Sequence, residues 1–199
     1  LPVKESGIDG MLKYLEEFVE HKGYKQFHIL GNSLGGHIAQ LYVLTSQDKV
    51  ATMTLTGSSG LFESGMGDGY PKRGDYEYIK RKTAETFYNP SVATKELVDQ
   101  VFHIVNDREK ALRLIVTAKS ALRHNLEKLI GKITVPTLLV WGANDTITPK
   151  FVGEKFHKLI KTSELVLIDK CGHAPMMEKP EEFSEALADF LMRHTKVIS

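Results

Sequence analysis

The chain has 199 residues, 42% of them hydrophobic, which is enough for one buried core and too apolar for a disordered chain. Its 26 Lys and Arg nearly cancel its 25 Asp and Glu, so no summed positive field exists to hold a nucleic-acid backbone or an anionic membrane surface. The single Cys171 excludes an internal disulfide and fits a reducing, cytoplasmic setting.

Met11, Leu12, Leu15, Phe18 and Val19 recur at helical spacing and Gly23 follows as a stop, which predicts a first amphipathic helix. Residues 26–30 form a short apolar run, followed by Gly31-Asn32-Ser33-Leu34-Gly35-Gly36 and a second apolar stretch over residues 38–44. That order predicts strand, sharp turn, helix. Residues 50–55, rich in β-branched side chains, predict another strand. Residues 60–131 change character: a glycine-rich connector (Gly65, Gly67, Gly69, Gly74) leads into helical periodicity without a strand. Leu97, Val98, Val101, Phe102 and Val105 mark one apolar face there, and Ala111, Leu112, Leu114 and Ile115 another.

Strand and helix alternation resumes with an apolar strand over residues 135–141. Next comes a helix with Pro149 at its first position and Phe151, Val152, Phe156, Leu159 and Ile160 inward. A last strand at residues 164–168 precedes a final helix opened by Pro180, with Phe183, Ala186, Leu187, Phe190 and Leu191 inward. Such alternation implies a parallel sheet covered on both faces, here interrupted by a helical insertion. Three segments are expected: core at 1–59, cap at 60–131 and core at 132–199. No apolar run reaches the roughly 18 residues that a membrane-crossing helix needs, so neither membrane nor nucleic acid is expected as a partner.

Gly31-x-Ser33-x-Gly35 between a strand and a helix has the form of a nucleophile elbow, where a turn so tight that the neighbours two positions away must lack side chains holds the serine above the sheet edge. The helix start aims backbone N–H groups at negative charge developing beside the serine, and the Leu34 N–H is the expected oxyanion donor. A serine hydroxyl needs an adjacent base, and that base needs a carboxylate to orient it. Asp145 and His173 each stand just past an apolar strand, and all such loops in a parallel sheet emerge on one edge. Taken singly, Ser33 could cap a helix, Asp145 could be a turn residue and His173 a loop residue. Their order and setting favour a triad. His37, after the elbow, and His28, on a strand, read as structural. The remaining histidines are scattered and the glycine connector does not open a helix after a strand, so neither a metal nor a cofactor is expected. The basic residues Lys72, Arg73, Lys80 and Lys82 read as solvated surface.

Residues 31–36, 141–145 and 171–173 resemble the elbow, acid loop and histidine loop of the α/β-hydrolase superfamily, and the resemblance covers the whole chain. It is similar to the cofactor-independent esterases and carbon–carbon bond hydrolases that carry a helical cap. Relatives with an aspartate at the elbow are disfavoured by Ser33. The resemblance implies a serine hydrolase acting on a small carboxylic ester or related acyl compound, with meta-cleavage-product hydrolysis or a catalytically impaired ligand-binding role as alternatives. Asn32, Met66, Phe87, Phe102 and Met176 are the candidates for the substrate side; the four apolar ones are also ordinary core formers, and Asn32 beside the serine also reads as structural. The resemblance also implies about four strands ahead of the first helix, including the loop that donates a second oxyanion N–H. The chain is therefore expected to be the C-terminal part of the fold, with an exposed sheet edge open to self-association.

Overall fold

The computed structural model describes residues 7–62 and 72–195. The chain opens with helix α1 (Ile8–Lys22), ended by Gly23 at φ 65°, the left-handed conformation that a residue without Cβ adopts readily. Strand β1 (Phe27–Asn32) leads through the Ser33 turn into helix α2 (Leu34–Ser46), and strand β2 (Val50–Thr56) follows. Three helices come next: α3 (Tyr76–Ala84), α4 (Lys95–Asn106) and α5 (Arg108–Arg123). Each start is capped by a side chain, since Asp75, Thr94 and Asp107 each accept a bond from a first-turn N–H. The chain then returns with strand β3 (Thr137–Gly142), helix α6 (Lys150–Leu159), strand β4 (Ser163–Ile168), the short helix α7 (Pro175–Glu178) and helix α8 (Pro180–His194).

The four strands are all parallel in the order β1-β2-β3-β4. Every residue of β3 is buried, which requires cover on both faces. Leu139 and Trp141 join Met53 and Leu55 against Tyr42 and Val43 of α2 and Val152 and Phe156 of α6. Leu138 and Val140 point the other way, onto Phe183 and Phe190 of α8. At one end of the sheet β1 keeps only Ile29 and Gly31 fully buried, and Leu30 is 46% exposed. Parallel order brings the C-terminal ends of all four strands, and the loops that follow them, to one side.

Several sequence expectations need correction. Phe151 is exposed, because α6 turns its neighbours Val152 and Gly153 toward the core, and Leu112 and Leu114 are exposed on α5, which buries the smaller Ala111, Thr117 and Ala121 instead. Pro149 is the N-cap of α6 and not its first helical residue. Helix α7 was not anticipated: four residues are too few to display a period.

Candidate active site

The turn at the end of β1 is strained by construction. Ser33 has φ 52° and ψ −121°, one of two non-glycine residues with positive φ among those described. Such backbone costs about 1–3 kcal/mol and persists only where its surroundings over-determine it. Here the Ser33 N–H donates to Thr56 O at 3.0 Å, while the Ser33 carbonyl accepts from the N–H groups of Gly36 (3.1 Å), His37 (3.3 Å) and Ser59 (3.2 Å). The glycine requirement falls on Gly31 and Gly36. A Cβ on Gly31 would lie 2.4 Å from the Gly35 carbonyl, and one on Gly36 would lie 2.2 Å from Ser58 Oγ. Gly35 faces open space, so the expected need for a bare residue there shifts one position along. The Ser33 hydroxyl makes no capping bond to α2, and Leu34 opens that helix, in the turn whose N–H groups lack intrahelical partners.

The loops after β3 and β4 are fastened to each other by backbone. Ala143 N donates to Ile168 O at 2.8 Å and Asn144 N to Cys171 O at 2.9 Å. Gly142 approaches so closely that a Cβ would sit 2.0 Å from Gly172 O. On this platform the buried Asp145 carboxylate accepts four bonds. Its Oδ1 takes the N–H groups of Ile147 (2.8 Å) and Thr148 (2.9 Å), and its Oδ2 takes Thr148 Oγ1 (2.8 Å) and His173 Nδ1 (2.9 Å). A carboxylate that accepts from Nδ1 places the imidazole proton there and leaves Nε2 with its lone pair. His173 is itself 94% buried, at 6% relative exposure.

Two further contacts bring the histidine loop to the elbow. Asn32 Nδ2 donates to both Thr56 O (3.0 Å) and His173 O (3.1 Å). Gly57, at φ 48°, gives way to the imidazole: a Cβ there would lie 2.8 Å from His173 Nδ1 and from His173 O. Ser33, Asp145 and His173 are thus carried by three adjoining loops on one side of the sheet. Neither Ser33 Oγ nor His173 Nε2 has a hydrogen-bond partner among the described residues.

The candidates for the substrate side fare unevenly. Asn32 commits its amide nitrogen to backbone acceptors. Met176 packs on the core beneath α8 with Leu138, Val140 and Phe183. Phe87 is buried in the turn after α3, where Thr86 O accepts from His173 N at 2.8 Å. Phe102 meets Tyr76 edge-on at 5.3 Å between α4 and α3. Met66 lies outside the described residues. Thr148, Gly57 and Ser59 were missed. Only Thr148 left a local trace, as a hydroxyl residue three positions after an aspartate in a turn.

Two titratable groups beside the site are displaced from their ordinary values. Burial, and then the carboxylate of Glu178, push the Cys171 thiol up to about 12, so it stays protonated. Burial, and then His124, bring His37 down to about 4, so its buried ring is neutral; its Nδ1 meets Ser59 Oγ at 3.3 Å. Among the described residues no group of three metal-binding side chains forms, and no helix is long and apolar enough to cross a membrane.

The model of the alpha/beta hydrolase fold family matches residues 4–180. Among curated proteins the chain is 30% identical to monoacylglycerol lipase ABHD6 of Bos taurus, over 92% of this chain and 60% of that protein. It is 26% identical to a 2-hydroxy-6-oxononadienedioate/2-hydroxy-6-oxononatrienedioate hydrolase of Cupriavidus pinatubonensis, over 96% of this chain and 71% of that protein. Among solved structures it resembles MGS-MChE2, an alpha/beta hydrolase from the metagenome of lagoon sediments at Mar Chica, Morocco. That likeness has a TM-score of 0.74 and 37% identity, over 97% of this chain and 73% of that one. The chain thus spans 60% of the length of the lipase relative.

Proposed function

The chain belongs to the alpha/beta hydrolase fold family, and from that premise we propose that it is a serine hydrolase that cleaves a small carboxylic ester through an acyl-enzyme. The observation that carries this reading is the buried Asp145–His173 pair, bonded at 2.9 Å, facing a loop that holds Ser33 on a strained turn. His173 Nε2 takes the hydroxyl proton of Ser33 as Oγ attacks the carbonyl carbon. The Leu34 N–H receives the developing oxyanion. The tetrahedral adduct expels the alcohol, protonated by His173, and water then attacks the acyl-serine with His173 again as base. Asp145 keeps Nδ1 protonated and stabilises the imidazolium, and Thr148 holds the carboxylate in place.

Helices α3, α4 and α5 serve in this reading as a cap over the site, with the turn after α3 at residues 86–88 against the histidine loop and an apolar acyl group as the ligand they suit. The likeness to a monoacylglycerol lipase supports the ester. The Cupriavidus relative supports a second reading, hydrolysis of a carbon–carbon bond beside a ketone by the same three residues. The test is hydrolysis of p-nitrophenyl butyrate and of a meta-cleavage dienoate by the whole natural protein and its Ser33→Ala variant, with fluorophosphonate labelling alongside. Ester turnover and labelling that both vanish with Ser33→Ala support the esterase. Turnover of the dienoate alone supports the second reading. No labelling and no turnover would sink both and leave a ligand-binding role.

A further inference from the structure

Glu178, the last residue of α7, holds its carboxylate against backbone donors from two distant parts of the chain. Its Oε2 accepts from Gly172 N at 2.6 Å and from Tyr88 N at 3.1 Å, and its Oε1 accepts from Asn89 N at 2.6 Å. Tyr88 and Asn89 follow α3, whereas Gly172 immediately precedes His173. The same two segments meet twice more. His173 N donates to Thr86 O at 2.8 Å, and Gly172 has no room for a side chain, since a Cβ would lie 2.6 Å from Thr86 O and 2.9 Å from Phe87 Cα. Residues 86–89 and the histidine loop therefore share a seam, with Glu178 across it.

The chemistry of that seam is ionic. Two successive N–H groups, at Tyr88 and Asn89, converge on one carboxylate as in an anion-binding nest, and bonds to an ionised acceptor are roughly twice as strong as neutral ones. Helix α7 links the clasp rigidly to the base. It begins two residues after His173, and Glu178 N donates to Ala174 O at 3.0 Å while Lys179 N donates to Pro175 O at 2.8 Å. A shift of residues 86–89 therefore pulls on Glu178 and on His173 together.

We propose that Glu178 is a positioning residue that couples the docking of the α3 end to the placement of His173, so that the base reaches its working register only while residues 86–89 are seated. The proposal rests on the reading of His173 as the general base. It assigns the end of α3 a second role: movement there on substrate entry or product release disarms the base, and reseating restores it.

The test uses the whole natural protein with Glu178→Gln and Glu178→Asp. Glutamine keeps the length of the side chain, but its amide nitrogen cannot accept a bond, so one side of the clasp is lost. Three quantities are read: the low-field proton resonance of His173 Nδ1–H, identified by its loss in His173→Ala; kcat and KM for p-nitrophenyl butyrate; and amide hydrogen exchange at Tyr88, Asn89 and Gly172. In Glu178→Gln the resonance broadens or shifts, the three amides exchange faster together, and kcat falls by about 10²-fold with KM held within about threefold, as for a misplaced base. Glu178→Asp, which keeps the charge, recovers part of each. A Glu178→Gln protein that melts earlier yet keeps the resonance and kcat overturns the proposal, because Glu178 is then only structural. If the wild type shows no Ser33-dependent turnover, the hydrolase reading fails, while the resonance and amide exchange still decide the clasp.

Discussion

Gly57→Ala tests the placement of His173 from the opposite side. Gly57 follows β2 with φ 48°, where a Cβ costs about 1–2 kcal/mol from backbone sterics alone. The new methyl would also lie 2.8 Å from His173 Nδ1, 2.8 Å from His173 O and 3.0 Å from Cε1. Ordinary contacts to carbon begin near 3.5 Å, so the ring or the turn must withdraw by roughly 0.7 Å. His173 has little freedom to do so, since Asp145 holds its Nδ1 at 2.9 Å and Asn32 holds its carbonyl at 3.1 Å. Overpacking of this kind adds about 1–3 kcal/mol, for a total loss of about 2–5 kcal/mol by urea unfolding. The rate of Ser33 labelling by a fluorophosphonate, measured on the folded protein, should fall by about 10²-fold, the usual effect of a misplacement near 1 Å. Wild-type labelling together with unchanged stability would refute the reasoning, because the imidazole could not then occupy the space that Gly57 vacates.

Three further predictions concern the surroundings of the site. Gly35→Ala should leave the melting temperature unchanged or raise it, by about 0.5–1 kcal/mol of helix stability, whereas Gly36→Ala drives a Cβ to 2.2 Å from Ser58 Oγ and should destabilise by about 1–3 kcal/mol; thermal melts in the reverse order would contradict the elbow geometry. Thr148→Val removes the hydroxyl that donates to Asp145 Oδ2 at 2.8 Å while the two backbone donors to Oδ1 remain. It should cost about 1.5–3 kcal/mol, with ester turnover reduced about tenfold; full turnover in the variant would show that the carboxylate needs no third anchor. Because burial lowers His37 from 6.5 to about 4, the unfolded chain takes up this proton first. That stabilisation is present above about pH 6.5 and is lost as pH falls toward 4, by at most about 3 kcal/mol. His37→Phe should flatten urea midpoints measured across this window, and an unaltered slope would assign the effect to other groups.

Much of this architecture is local, and local features can be read from residue order. A parallel strand covered on both faces reads as a nearly continuous apolar run, as residues 138–142 do. Gly23 marks the end of α1 because the left-handed conformation there suits a residue without Cβ. Ser33, Asp145 and His173 were legible for a topological reason, since each follows a strand and parallel strands deliver their following loops to one edge.

Periodicity, by contrast, identifies a face without saying what lies against it. Leu112, Leu114 and Phe151 have helical spacing and remain exposed, while α5 turns its small residues inward. Gly36 and not Gly35 is the constrained glycine, because the obstacle is Ser58 on another strand's loop. Glu178 meets Tyr88 and Asn89 across about 90 residues of chain, and its acceptors' partners are backbone N–H groups, which no residue type announces. The sequence by itself determined the order of the strands, the stop of α1 at Gly23 and the three side chains placed past strand ends, because those depend on near neighbours and on topology. Only the tertiary structure decided which glycines are obligatory, which apolar faces are covered and how His173 is held, because those depend on the close approach of segments distant along the chain.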